Sequence, residues 1–317
     1  MGTPEAVTAD NFVRAESDLY FSHIVEDDGF GQFMHYRALT PIDSQRVIRQ
    51  NRDTLYSAAV FDLAAGPVTI GLPDAGRRFL SAQIITQDHY VPRVIYGHNE
   101  FRLNRDEIGT RYAVVAVRIL VDPNDADDLP VVHRLQDAIE VQQEGRGRFE
   151  IPSWDPASQS TVRQALLTLA ATLTDTKGMF GTRAAVDPVR HLIGSASAWG
   201  GNPEEDALYL NITPDDNDGT TVHRLTVADV PVDGFWSITV YNRDGYLSAN
   251  ALDRYSYNSL TATPDPDGAT TIQFGGCTDD TANCLPVTPG WNYLVRLYRP
   301  RPAILGGEWT FPTARPR

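Results

Sequence analysis

Residues 53–61 read Asp53-Thr54-Leu55-Tyr56-Ser57-Ala58-Ala59-Val60-Phe61; after a break at Gly66-Pro67 comes Val68-Thr69-Ile70-Gly71-Leu72. Both runs are short, rich in β-branched and aromatic residues, and bounded by turn-forming residues, which predicts strands. The same pattern continues at Arg78 to Thr86, Arg93 to Tyr96 and Tyr112 to Ile119, with no helix-length stretch between them. Strands at this spacing predict an antiparallel sandwich or barrel rather than a nucleotide-binding α/β fold.

Upstream, Ala9 to Asp28 reads as a helix. Phe12, Val13, Leu19, Tyr20 and Ile24 share one side, Thr8 or Asp10 can cap the start, and Gly29 suits the stop. Downstream, Leu129, Val132, Leu135 and Ile139 recur at helical spacing, and Asp155-Pro156 forms a cap and first-turn pair before Val162, Leu166, Leu169 and Leu173. Gln142 to Arg148 reads as a surface loop between them. Strands return at Ala207 to Ile212, Thr220 to Leu225, Gly234 to Tyr241, Thr270 to Phe274 and Trp291 to Tyr298, with a hairpin signal at Asp267-Gly268. The expected fold is mainly β with helical insertions: two antiparallel β-sandwich or jelly-roll-like domains joined by a helical segment. The expected boundaries are 1–125 for an N-terminal β domain with its leading helix, 126–200 for a helical connector and 201–317 for a C-terminal β-sandwich.

The chain has 317 residues and a formal net charge of -14. That field repels phosphate backbones and anionic membranes, so nucleic acid is an unexpected partner. No run of about 18 apolar residues is present, which argues against membrane insertion. Met1 to Thr8 shows no basic segment followed by an apolar stretch, so a cytoplasmic setting is expected. Cys277 and Cys284 pull the other way, since a local disulfide would suit an oxidising compartment and free thiols a reducing one.

Several chemistries are disfavoured. Lys177 is the sole lysine and reads as a loop residue, which leaves little room for Schiff-base chemistry. Gly194-Ser195-Ala196-Ser197-Ala198 lacks the second glycine of a nucleophile elbow. No His-Glu-x-x-His, Cys-x-x-Cys, phosphate-binding glycine loop or dinucleotide fingerprint occurs. Asp215-Asp216-Asn217-Asp218-Gly219 lacks the spaced ligands of a calcium loop and reads as a solvated turn. Neither a metal nor a cofactor is expected.

Two stretches carry a family resemblance. The first is Asn51-Arg52-Asp53-Thr54-Leu55-Tyr56-Ser57, followed by Phe61-Asp62 and Gly66-Pro67-Val68. The second runs from Gly234-Phe235-Trp236-Ser237 through Tyr241-Asn242, Asn283-Cys284-Leu285-Pro286 and Pro289-Gly290-Trp291-Asn292-Tyr293 to Val295-Arg296-Leu297-Tyr298-Arg299-Pro300-Arg301-Pro302. Together they resemble the bacterial tandem that pairs the domain of unknown function 1254 with the domain of unknown function 1214. The resemblance implies tandem β-sandwich-like domains and no established reaction, and many related proteins look exported.

Alternation along strands sorts the polar residues. Arg52, Thr54 and Tyr56 share one face and Asn51, Asp53 and Leu55 the other. An arginine there can hold a carboxylate, and a tyrosine can move a proton. His89, in Asp88-His89-Tyr90, is the general base that a strand mouth would offer, although it points away from both neighbours. His191, before Leu192-Ile193, reads as an interior residue satisfied by backbone groups. The expectation is a small-molecule cleft between the two β domains. Its catalytic candidates are His89, Asp53 and Tyr56; its substrate-binding candidates are Arg52, Trp236, Tyr241 and Asn292. Its chemistry, if any, would be metal-independent acid–base work of a hydrolase or lyase kind. Two alternatives stay open: a noncatalytic carbohydrate- or polymer-binding module, and an interaction protein that associates with itself.

Overall fold

The computed structural model describes residues 3–45, 49–123, 125, 127–173 and 175–317. The chain divides into two compact units. The first takes Met1–Arg37, Leu55–Leu120 and Pro130–Glu204; the second takes Ala38–Thr54, Val121–Leu129 and Glu205–Arg317.

In the first unit, helix α1 (Phe12–Glu26) precedes β1 (Met34–His35), β2 (Thr54–Asp62), β3 (Val68–Leu72), β4 (Leu80–Thr86), β5 (Val94–Tyr96) and β6 (Asn99–Leu103). Then come α2 (Arg105–Ile108), β7 (Tyr112–Leu120), α3 (Asp128–Asp137), β8 (Glu140–Gln142), α4 (Pro156–Ala170) and α5 (Pro188–Ser197). A five-stranded sheet has the order β1-β2-β7-β4-β5, and a three-stranded sheet the order β6-β3-β8. On one face of the larger sheet, Val60, Ile85, Tyr112 and Val114 pack with Phe21 of α1. The helices form a second core with that same α1: Phe12 and Ala15 meet Leu166 of α4 and Ile193 of α5. The central helices therefore pack as part of the first unit, because their apolar stripes have a helix to bury against.

Local chemistry explains the helix starts. The Asp155 carboxylate accepts from the Ser158 N–H with Pro156 at the first position, and Asp187 does the same for Val189 and Arg190 ahead of α5. Helix α1 begins at Asn11 rather than at Thr8 or Asp10, and the Asn11 side chain turns back to the Thr8 N–H and the Ala6 carbonyl. Gly147, in the loop after β8, has φ of 72°, and a Cβ there would lie 2.4 Å from Asp62 Oδ2. Only glycine lets that loop approach so closely.

The second unit contains β9 (Ala207–Ile212), β10 (His223–Val227), β11 (Trp236–Tyr241), β12 (Ser256–Asn258), β13 (Thr270–Phe274), β14 (Cys284–Leu285), β15 (Asn292–Tyr298), α6 (Pro302–Leu305) and β16 (Arg315–Pro316). Two four-stranded sheets have the orders β12-β11-β15-β9 and β14-β13-β10-β16. All described pairings are antiparallel except β13 with β14. Trp236, Ile238, Val240, Tyr293, Val295 and Leu297 of the first sheet pack against Leu225, Val227, Ile272, Phe274 and Leu285 of the second. That shared core makes the unit a β-sandwich. The Asp267-Gly268 turn leads into β13, whose partners are β10 and β14 rather than the strand before the turn. Among the described residues, no helix is long and apolar enough to cross a membrane.

Candidate functional site

Period-two alternation divides β11 and β15 between two environments. Trp236, Ile238 and Val240 enter the sandwich core, while Ser237, Thr239 and Tyr241 point to the opposite face. On β15, Asn292 and Arg296 share that opposite face, and the register sets Ser237 beside Arg296 and Tyr241 beside Asn292. Apart from Leu294, this face is polar, and it is almost fully buried.

The strap to which residues 38–45 and 49–54 contribute covers it, within the same unit. The Tyr241 hydroxyl donates to the Gln50 carbonyl at 2.9 Å and accepts from Arg296 Nη2 at 2.8 Å. Arg296 also donates to Thr239 Oγ1 and to the Arg49 carbonyl, both at 2.8 Å. Arg49 donates in turn to Asn292 Oδ1 at 2.9 Å. Burial opposes the Arg296 charge, but the Tyr241 and Tyr298 hydroxyls and the Asp53 carboxylate hold the guanidinium above its ordinary pKa. Asp53 is fully buried and accepts from Asn258 Nδ2 at 3.2 Å. Its other oxygen lies beside the Ser237 hydroxyl, and the two groups fall short of hydrogen-bond geometry. Burial pushes the Asp53 carboxyl up, against the lowering pull of Arg296, Ser237 and Asn258.

Arg52, the neighbour of Asp53 in the strap, lines a cavity of about 340 Å³. Every residue of its wall belongs to the second unit, including Pro123, Asp253, Tyr255, Tyr257, Asp279 and Asp280. The wall is largely carboxylate, hydroxyl, amide and guanidinium. The Arg52 guanidinium lies over the Tyr255 ring, 5.0 Å from its centroid, and Nη1 donates to the Thr40 carbonyl. Among the described residues no further acceptor takes its remaining N–H groups. Arg254 is committed instead, donating to the carbonyls of Thr278, Asp279 and Thr281. Those carbonyls belong to a loop that the Cys277–Cys284 disulfide closes.

The first motif stretch read from the sequence is therefore divided, with Asn51 to Thr54 in the second unit and Leu55 to Val68 in the first, while Trp236 to Tyr241 and Asn292 to Tyr298 of the second stretch form the sheet beneath the strap. Residues 30–95 match the family described as protein of unknown function (DUF1254), and residues 206–302 match protein of unknown function (DUF1214). The chain is a tandem DUF1254–DUF1214 protein. No curated protein matches it. Among solved structures, the VPA0106 protein from Vibrio parahaemolyticus is similar at a TM-score of 0.75 and 18% identity, over 97% of each chain. An uncharacterised protein from Burkholderia cenocepacia is similar at a TM-score of 0.54 and 13% identity, over 97% of this chain and 88% of that one. Likenesses at these identities establish the fold.

In this DUF1254–DUF1214 protein the seven residues singled out from the sequence fall into four settings. Asp53, Tyr241 and Asn292 join the sealed polar network, and Arg52 lines the cavity. Trp236 belongs to the sandwich core. Tyr56 and His89 lie in the first unit, where Arg118 covers the Tyr56 ring at 5.4 Å. His89 is fully buried, with its Nε2 accepting from the Gly200 N–H at 2.9 Å. Nδ1 therefore carries the proton and donates to Ser195 Oγ at 2.9 Å, and Ser195 donates onward to the His191 carbonyl. Burial, with His191 nearby, holds the His89 pKa down to about 3. Both ring nitrogens are spent on structure, so this ring differs from the general base that its position at a strand end suggested.

Arg296 was legible as a cation between aromatic residues on the polar face of β15, but nothing local marked it as the centre of a network. Asp253, Tyr255, Asp279 and Asp280 come from irregular segments, where no periodicity assigns a direction. Asp218 holds the N–H groups of Thr220 and Thr221, each at 2.7 Å, as a turn residue does.

Proposed function

We propose that the second unit binds a small, uncharged, polyhydroxylated molecule, of mono- or disaccharide size, in the cavity beside the strap. The observation that carries this reading is the Arg52 guanidinium, seated on Tyr255 with most of its donors unclaimed, on a wall that also carries Asp253, Asp279 and Asp280. Hydroxyl groups donate to carboxylates and accept from a guanidinium, so one polyol satisfies both kinds of lining group. A cavity of about 340 Å³ lies at the small end of the ligand-site range. An apolar ligand would leave the buried part of that lining unsatisfied. A polyanion would meet three carboxylates within a chain of net charge -14.

The proposal stops at binding: His89, the base that the sequence suggested, lies in the first unit with both nitrogens engaged, and the cavity wall of the second unit carries no histidine among its lining residues. Titration calorimetry with glucose, galactose, maltose and glucuronate tests it. Saturable heat is expected from at least one neutral sugar, with Kd near millimolar, or about −4 kcal/mol. Arg52→Ala and Asp253→Asn should each weaken that binding about tenfold. Preference for glucuronate would replace the neutral ligand with a carboxylated one. Absence of heat from all four sugars would overturn the proposal.

A further inference from the structure

The cavity wall contains a device that ligand binding does not require. Asp279, Asp280, Thr281, Ala282 and Asn283 all line the cavity, and all lie inside the ring closed by Cys277 and Cys284. The two ends of this segment are held differently. At the C-terminal end, Cys284 is buried in β14, and Asn283 bonds Thr263 in both directions and donates to the Thr271 carbonyl. At the N-terminal end, Cys277 is only partly buried and follows Gly275 and Gly276, with φ of 77° and 61°. Gly275 is still held, its N–H donating to the Leu285 carbonyl and its carbonyl accepting from Gln273 Nε2, each at 3.0 Å, so the hinge is the exposed Gly276, whose left-handed φ suits glycine. Between the ends, the wall rests on three carbonyl contacts from Arg254 and on a 2.7 Å contact between the Thr278 and Thr281 hydroxyls.

We infer that the Cys277–Cys284 bridge is a thiol–disulfide exchange site whose opening releases the 278–283 wall of the cavity. The inference rests on the binding reading for its consequence, though not for its chemistry. A dithiol attacks as thiolate at the sulfur of Cys277, the less buried of the two half-cystines. The S–S bond breaks, and Cys284 leaves as thiolate and takes a proton. The second thiolate of the dithiol then displaces Cys277, which is also protonated. The dithiol ends as its own disulfide, and the bridge has gained two electrons and two protons. With the covalent tie gone, the chain pivots at Gly276 and frees the N-terminal half of the wall, while Gly275, Asn283 and Cys284 stay with the sheet. Asp279 and Asp280 then leave the cavity wall that they share with Arg52, and sugar affinity falls.

Hydrogen exchange on the full chain tests this, comparing the untreated protein, the protein with dithiothreitol, and the Cys277→Ser, Cys284→Ser double variant. In parallel, maltose affinity is measured by calorimetry in the same three samples. Exchange in 278–283 should rise at least tenfold on reduction and in the variant, with β13 and β15 unchanged, and reoxidation should restore protection. Maltose affinity should fall about tenfold in step. Unchanged exchange in 278–283 after complete reduction would overturn the inference, as would a rise spread evenly over the unit, which would mark the bridge as a general fold staple. If none of maltose, glucose, galactose and glucuronate binds any sample while exchange rises locally, the exchange site stands and the sugar reading fails. If maltose binds reduced and oxidised protein equally, the pocket stands and control by the bridge is rejected.

Discussion

Arg296 donates to the Tyr241 hydroxyl at 2.8 Å on a sheet face sealed by the strap that carries Asp53. Arg296 is 2% exposed and Asp53 0%, so each depends on the other's charge as well as on its hydrogen bonds. Removing one partner of such a set leaves the other buried without compensation, at about 3–5 kcal/mol. Arg296→Met should cost an amount of that order in urea unfolding. Asp53→Asn should cost less than Asp53→Ala, because an amide still accepts from Asn258 and can donate to Ser237. Burial raises the folded-state pKa of Asp53 above its ordinary 3.8, so its contribution to stability is present below that value and is lost as pH rises through the raised one. Asp53→Asn should remove that component of the pH dependence.

His89 gives the opposite sign. Its folded-state pKa is held down to about 3 from 6.5, so its stabilisation is complete above 6.5 and declines as pH falls towards 3. In that window the unfolded chain binds one proton more than the folded one, at about 1.4 kcal/mol per pH unit. Unfolding free energies at pH 6.5 and 5 should therefore differ by about 2 kcal/mol more in the wild type than in His89→Asn. Asparagine is the chosen replacement because His89 has φ of 61°, a conformation asparagine tolerates. Equal pH slopes in the two proteins would refute the assignment of a neutral buried ring.

The sequence and the structure agree most closely where alternation is long. The strand expected at Thr270 to Phe274 and the one at Ala207 to Ile212 coincide with β13 and β9. Apolar and polar residues on β11 and β15 separate as alternation requires. What alternation cannot convey is which long-range segment covers a polar face. The strap bonds residues about 200 positions away, such as Gln45 with Leu247 and Arg49 with Asn292. A chain-order division at residue 125 therefore misses that strips of the first half complete the second sandwich. His89 looked available because it follows a strand. The ring stack of Trp199, His89 and His191 that encloses it depends on residues about 100 positions downstream.

Glu16 offers a test of the helical core. Its carboxylate is fully buried, accepting from Gln159 Nε2 at 2.9 Å and from Arg163 Nε at 2.8 Å and Nη2 at 2.5 Å. Arg163→Ala strands a carboxylate beneath α4 and should lower stability by about 3 kcal/mol, whereas Glu16→Gln with Arg163→Met should recover most of that loss. Chemical denaturation of the single and double variants measures the coupling directly. Additive losses would mean that the two side chains do not act as a pair.

Tyr255 ties stability to the cavity. Its ring supports the Arg52 guanidinium at 5.0 Å, and burial, followed by the Asp253 carboxylate, raises the pKa of its hydroxyl. Tyr255→Phe keeps the aromatic face and removes only the hydroxyl, so Arg52 should remain seated. Tyr255→Leu removes the quadrupole that attracts the cation, a loss of about 0.5–2 kcal/mol, and also some packing against Tyr241, Leu247 and Leu294. Urea unfolding should rank wild type at or slightly above the phenylalanine variant, and both above the leucine variant. In an Arg52→Met background the penalty for leucine should shrink by that cation–π part and leave only the packing loss, since no cation remains to be held. Should leucine cost as much there as in the wild type, the ring acts through packing alone, and Arg52 owes its position to the Thr40 carbonyl.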